Sequence, residues 1–320
     1  MIGLMTGATA MNRREALRMI ALAAAGLSPG LSSAASGAVQ GPVQGAASMT
    51  TRKIPSSGEA LPIIGLGTWQ TFDVGPGAAE RAPLQEVLQE FAALGGRLID
   101  SSPMYGNSEK VAGDIIAKLN LREKLFIATK VWTSGKQDGI AQMNSSMEKL
   151  RARPIDLMQV HNLLDVETHL ATLREWKQQG IVRHIGVTHY TGSAHDDVAR
   201  VITKHPVDFI QINYSVGERE AEQRLLPLAR EKGVAVIANR PFAGGDLFRR
   251  VRAKPLPAWA AEIGCTSWAQ LLLKFVVSHP AMTCAIPATS KLEHLRDNMK
   301  AGYGRMPDQK MRAMIVSEAM

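Results

Sequence analysis

Asp100, Tyr105, Lys130 and His161 carry groups suited to proton transfer and to holding charge, and their placement along the chain is not random. Asp100 closes the short apolar run "RLID", and Tyr105 follows it closely in "PMYGNSE". Lys130 closes "LFIATK" and His161 closes "DLMQVH". Polar residues end the next runs too: Thr188 and His189 in "HIGVTH", then Gln211, Asn213 and Tyr214 in "FIQINY". A lone lysine at the end of a strand is ordinarily a solvated terminus, and a lone histidine is ordinarily a packing residue. A carboxylate, a phenol, an ammonium and an imidazole at successive run ends form an acid–base set, provided the fold brings those ends together.

The runs that carry them are eight in number: "IIGLGTW", "RLID", "LFIATK", "DLMQVH", "HIGVTH", "FIQINY", "VAVIANR" and "CAIPAT". Each is short, apolar and rich in β-branched residues, as strands covered on both faces should be. Between them lie stretches such as "LQEVLQEFAALG", "SEKVAGDIIAKL" and "ETHLATLREWKQQG", with apolar residues three and four apart and glycine near several ends. Eight such alternations in about 270 residues predict an α/β fold, a single-domain (β/α)8 TIM barrel, over 51–320. A doubly wound open sheet is the alternative, weakened by the absence of GxGxxG after the first strand. The earlier "KIPSSGEALPIIG" reads as a hairpin closing the barrel floor. In such a barrel the carboxyl ends of the strands form one mouth, and the four groups converge there.

The motifs "GGRLIDSS" with "PMYGNSEKVAG" directly after it, "FIATKVW", "DLMQVHN", "IGVTHY", "IQINYS" and "AIPATSKLEHLRDN" resemble those of aldo-keto reductases, from about Ile54 to Asn298. The resemblance implies an NADP(H)-dependent oxidoreductase that reduces an aldehyde or ketone, with Asp100, Tyr105, Lys130 and His161 as its tetrad. Tyr105 would be the proton donor. A free tyrosine, at pKa ~10, exchanges protons poorly at neutral pH, and the Lys130 ammonium would ease the phenol toward phenolate. Asp100 would hold Lys130 charged and placed, and His161 would orient the carbonyl oxygen. The alternatives are a non-catalytic dinucleotide-binding regulatory barrel, which has no need of both Tyr105 and Lys130; an exported oxidoreductase that keeps its dinucleotide tightly bound and cycles two substrates; and an isomerase-type barrel, disfavoured because this chain lacks phosphate-loop glycines after strands seven and eight.

The same resemblance implies the cofactor contacts. Thr188 and His189 fall on the carboxamide-binding pair, and Gln211 on the usual glutamine. Thr68, Trp69 and Tyr214 join them. Asn239 and Arg240, with Phe242 and Gly244 of "FAGG", stand where many members place an aromatic against the nicotinamide. Ser290, Lys291, His294 and Asn298 lie within the final motif. Lys291, His294 and Arg296 bring positive charge to the expected 2′-phosphate site, which favours NADPH over NADH. Trp69, Met104 and Trp132 would line the pocket of a small carbonyl substrate. Residues 299–320 are few for a long lid, so an open mouth is expected.

Arg13 and Arg14 precede an alanine-rich apolar run, Met19 to Leu27, then the small residues "LSSAASGAVQ". These are the three parts of an export signal. The paired arginines resemble the twin-arginine type, whose pathway carries folded proteins. Residues 1–38 therefore read as a signal peptide and 39–50 as a linker. The apolar run is shorter than the ~20 residues a bilayer span needs, so no stable membrane anchor is expected. The implied site of action is the periplasm, reached through the twin-arginine translocase, with the cytoplasm as the alternative. The formal net charge is +8, with basic residues scattered rather than blocked. They read as solvated faces, and no nucleic-acid partner is expected. The two cysteines, Cys265 and Cys284, form no spaced metal motif, and no metal is expected.

Overall fold

The computed structural model describes residues 48–320; the proposed signal peptide and residues 39–47 of the linker lie outside that range. Met49 and Thr50, at the end of the linker stretch, are already tied to the fold. Met49 is buried, and Thr50 donates its N–H to the Gly302 carbonyl at 2.8 Å.

Strands β1 (Thr51–Lys53) and β2 (Ala60–Pro62) pair antiparallel, Thr51 opposite Pro62, as the expected floor hairpin. Eight parallel strands follow: β3 (Leu66–Gly67), β4 (Leu98–Asp100), β5 (Phe126–Val131), β6 (Ile155–His161), β7 (Val182–His189), β8 (Phe209–Asn213), β9 (Ala235–Asn239) and β10 (Cys284–Ala285). Each hydrogen-bonds to the next in chain order. The bridges Ile64 to Ala285 and Gly67 to Ala288 join the last strand to the first and close the barrel. Each overlaps one of the runs read from the sequence; β5, β6 and β7 extend past theirs by one or two residues.

The helices between strands are α1 (Ala78–Ala93), α2 (Ser108–Lys118), α3 (Lys136–Leu150), α4 (Val166–Gln178), α5 (His195–Lys204) and α6 (Leu225–Glu231). After β9 there are two, α7 (Asp246–Val251) and α8 (Trp268–Ser278), and α9 (Leu292–Lys300) follows β10. The final helix, α10 (Gln309–Ala319), packs on α7 and α8, so residues 309–319 serve the outer wall rather than a lid. Helices α2 and α3 approach so closely that a Cβ on Gly113 would lie 2.1 Å from the Lys149 carbonyl oxygen; no side chain fits there.

The core has two layers. Strand residues facing outward pack with the helices around Leu88, Phe91, Leu150, Leu173 and Phe275. Residues facing inward fill the barrel: Leu98, Phe126, Leu157, Phe209, Ile237 and Cys284, plugged from below by Ile54 and Leu61 of the hairpin region. All of these are essentially inaccessible to water, and a fully buried side chain of this size contributes ~1.5–3 kcal/mol. Side chains alternate along a strand, so the inward set continues upward at every second position. Above Leu98 comes Asp100; above Phe126 and Ala128, Lys130; above Leu157, Gln159 and then His161; above Phe209, Gln211. The apolar plug at the floor and the polar cluster at the mouth are two ends of one pleat.

Candidate active site

A cleft of about 670 Å³ opens at the carboxyl ends of the strands, and Asp100, Tyr105 and His161 line it. Lys130 lies beneath them, fully buried. Its ammonium donates to Asp100 Oδ2 at 2.6 Å and to the Ser101 carbonyl at 2.7 Å, and lies 5.1 Å from the centre of the Tyr105 ring. Burial works against that charge, but the Asp100 carboxylate, with Tyr105 beside it, outweighs burial and holds Lys130 above the usual lysine range. Tyr105 is pushed up, first by burial; Lys130 opposes the rise and Asp100 adds to it. The phenol is therefore protonated at neutral pH and stands beside a fixed cation.

The carboxylate is itself fixed. Gln211 Nε2 donates to Asp100 Oδ1 at 2.7 Å, and Gln159 Nε2 does so at 3.3 Å. The Gln211 oxygen in turn receives Thr188 Oγ1 at 3.3 Å and Asn239 Nδ2 at 3.5 Å. Gln159 was not among the sequence candidates. Its signal was available, since it lies two positions before His161 and so shares its face of the strand.

His161 packs edge-on to Tyr105, with ring centres 6.0 Å apart. Its Nδ1 meets Ser102 Oγ at 3.0 Å. Burial first, then the charges of Lys130 and His189, lower its pKa to about 3, so the ring is neutral across the physiological range.

The expected cofactor residues divide. Thr68, Trp69, Thr188, Gln211, Asn239, Arg240, Phe242 and Gly244 all line the cleft. His294 and Asn298 line a second cavity of about 430 Å³, which shares Phe242, Phe248 and Ala288 with the first. Ser290 and Lys291 are exposed at the start of α9, and the Lys291 ammonium has no hydrogen-bond or ionic partner among the described residues. His189 is half-buried beside the cleft, stacked on Tyr190 with Nδ1 accepting from Thr191; its carbonyl accepts from Asn239. Tyr214 is a correction. It stands an odd number of positions after inward-facing Gln211 and points out of the barrel, where its hydroxyl meets Glu222 and Arg312 and its ring stacks on Phe275. Arg296 is exposed and ion-paired with Glu90 of α1 at 2.7 Å.

Several polar atoms in this region are buried without a partner among the described residues. Asn162 Oδ1, Asn239 Oδ1, Arg240 Nε and Thr71 Oγ1 all belong to residues on the cleft wall. A buried polar atom left unsatisfied costs ~1–3 kcal/mol, so a wall carrying four of them fits a ligand with both donors and acceptors, as a nicotinamide dinucleotide has. Around the rim the chemistry reverses. Of the six large hydrophobic side chains exposed among the described residues, Trp69, Met104, Trp132, Tyr190 and Phe248 surround this one mouth. Clustered apolar exposure of this kind marks a binding surface. Trp69, Met104 and Trp132, expected to line the substrate pocket, lie on this rim; Tyr190 and Phe248 join them there, and nothing local in the sequence distinguishes those two from scattered surface aromatics.

Residues 63–315 match the aldo/keto reductase family. The chain is 30% identical over 258 residues to methylglyoxal reductase YeaE of Escherichia coli (strain K12), covering 78% of this chain and 89% of that protein. It is 26% identical over 299 residues to the NADP-dependent D-sorbitol-6-phosphate dehydrogenase of Malus domestica, covering 80% and 90%. Among solved structures, the thermostable aldo-keto reductase Tm1743, in complex with the inhibitor epalrestat, superposes with a TM-score of 0.70 at 26% identity, over 84% of this chain and 99% of that one.

Proposed function

The chain belongs to the aldo/keto reductase family, and on that premise we propose that it reduces a small aldehyde or ketone to the alcohol with NADPH, Tyr105 supplying the proton. The observation that carries this reading is the buried Lys130–Asp100 pair set against Tyr105 at the base of an apolar-rimmed cleft. When bound, NADPH supplies the hydride. The protein's own groups do the rest. The Tyr105 hydroxyl gives its proton to the carbonyl oxygen as negative charge builds there, and Lys130 stabilises the phenolate left behind. Asp100 holds the ammonium in place. His161, neutral, offers an N–H to the same oxygen and orients it. In the reverse direction the phenolate acts as base.

Thr188, Gln211, Asn239 and Arg240 would hold the nicotinamide half, and Lys291, His294 and Asn298 the adenosine half. The NADP dependence named for the Malus relative supports this choice of cofactor. The aromatic rim suits a substrate with an apolar body. Tyr105→Phe tests the assignment, because it keeps the ring and removes the proton. Binding of NADPH should persist while turnover falls by ~10²–10⁴; turnover at the wild-type rate would refute the role.

No helix among the described residues is long and apolar enough to cross a membrane. We propose further that residues 1–38 export the folded enzyme by the twin-arginine route to the periplasm, on the strength of Arg13 and Arg14 before the Met19–Leu27 run. A guanidinium pair offers planar, forked donors that ammonium groups cannot replace. Changing both Arg13 and Arg14 to Lys should therefore leave active, uncleaved enzyme in the cytoplasm. Full-yield periplasmic recovery of the cleaved double-lysine protein would overturn this route.

A further inference from the structure

We propose that Ser102 is a positioning residue that fixes the tautomer of His161, so that Nε2 carries the ring proton and presents it to the cleft. This rests on the reductase reading above. Ser102 is fully buried in the turn between β4 and α2. Its hydroxyl has two neighbours: Met104 N–H donates to it at 3.3 Å, and His161 Nδ1 lies 3.0 Å away. A serine hydroxyl has one proton to give. Among the described residues no other acceptor lies within hydrogen-bond reach of that hydroxyl. If Nδ1 carried the ring proton, Oγ would accept twice and its own proton would be stranded in a buried turn. With the hydroxyl proton directed at Nδ1, every group is satisfied. The ring proton then sits on Nε2, which meets no acceptor among the described residues and belongs to a ring lining the cleft. The hydrogen bond made by one ring nitrogen decides the state of the other.

The same residue also places the proton donor. The Ser102 carbonyl accepts Tyr105 N–H at 3.0 Å, closing the turn that carries the phenol. One serine thus couples the two groups that meet the carbonyl oxygen: Tyr105 through its backbone, His161 through its side chain.

The test uses the full chain with NADP+ bound and ¹⁵N-labelled histidine. In the wild type the His161 Nε2 resonance should appear as a protonated nitrogen and Nδ1 as a bare one. Ser102→Ala should draw the two shifts together. It should also lower kcat about fivefold, the equivalent of one net hydrogen bond of ~1 kcal/mol, with NADPH affinity unchanged by fluorescence titration. In a His161→Gln background the same substitution should cost nothing further in kcat. A proton on Nδ1 in the wild type overturns the proposal. So do ring shifts that Ser102→Ala leaves unmoved, or an equal loss in the His161→Gln background, which marks a merely structural serine. Failure of the reductase reading looks different: Tyr105→Phe would turn over normally while the His161 spectrum stayed as described.

Discussion

Asp100→Asn separates charge from shape at the centre of the site. The carboxylate uses both oxygens: Oδ1 receives Gln211 at 2.7 Å and Gln159 at 3.3 Å, and Oδ2 receives Lys130 at 2.6 Å. Asparagine has one oxygen. Whichever side keeps it, an NH2 group faces the donors on the other. Gln211 cannot turn to help, because Thr188 and Asn239 both donate to its oxygen. Two unit charges at this separation attract by about 6 kcal/mol at an effective dielectric of ~20. Desolvation offsets part of that, and breaking a buried pair from one side costs ~3–5 kcal/mol. The sign with pH is also determined. In the wild type Lys130 is raised despite burial, because Asp100 and Tyr105 face it; its contribution is full below the unfolded value of ~10.4 and is lost only above the folded one. In the variant burial acts with its main opponent removed, so the lysine falls below its ordinary range. The variant then gains relative stability as pH rises and the buried amine becomes neutral. Urea unfolding of both proteins at pH 7 and pH 9.5 measures this. The variant should be ~3–5 kcal/mol less stable at pH 7 and closer to the wild type at pH 9.5. A difference under about 1 kcal/mol at pH 7, or one that does not change with pH, would refute the account of the pair.

Lys291→Ala should weaken NADPH by roughly ten- to a hundredfold and NADH far less, since a charge-assisted contact to phosphate is worth ~1.5–3 kcal/mol; equal losses in a titration of both cofactors would show that Lys291 does not read the 2′-phosphate. His161 folds with a pKa of about 3 against an unfolded ~6.5, so the unfolded chain binds the extra proton between those values. Its contribution to stability is full above ~6.5 and falls by about 1.4 kcal/mol per pH unit below that. His161→Asn should make the stability–pH slope between pH 4 and 6 shallower by that amount, and parallel slopes in urea melts would count against a neutral buried ring.

The eight strands were legible because a strand covered on both faces must be an unbroken apolar run, and no other short element needs that. The acid–base set was legible because barrel chemistry gathers at strand ends, where Asp100, Lys130 and His161 stand. Tertiary structure decided which face of each strand turns in, and local alternation then sorted the side chains. Tyr214 looked like a neighbour of Gln211 and Asn213, but register turned it outward to Glu222 and Arg312, while the same alternation brought Gln159 in beneath His161. Pairings between distant segments were equally invisible. Nothing near Arg296 in sequence announces Glu90, since contact between α9 and α1 exists only once β10 closes against β3. Nor does anything beside Ser102 in the chain announce that its hydroxyl meets His161, at the end of β6, two strands further round the barrel. The side-chain period along a strand is a local property and can be read from the chain. Which residues meet across the barrel depends on closure, and closure is a property of all eight strands at once.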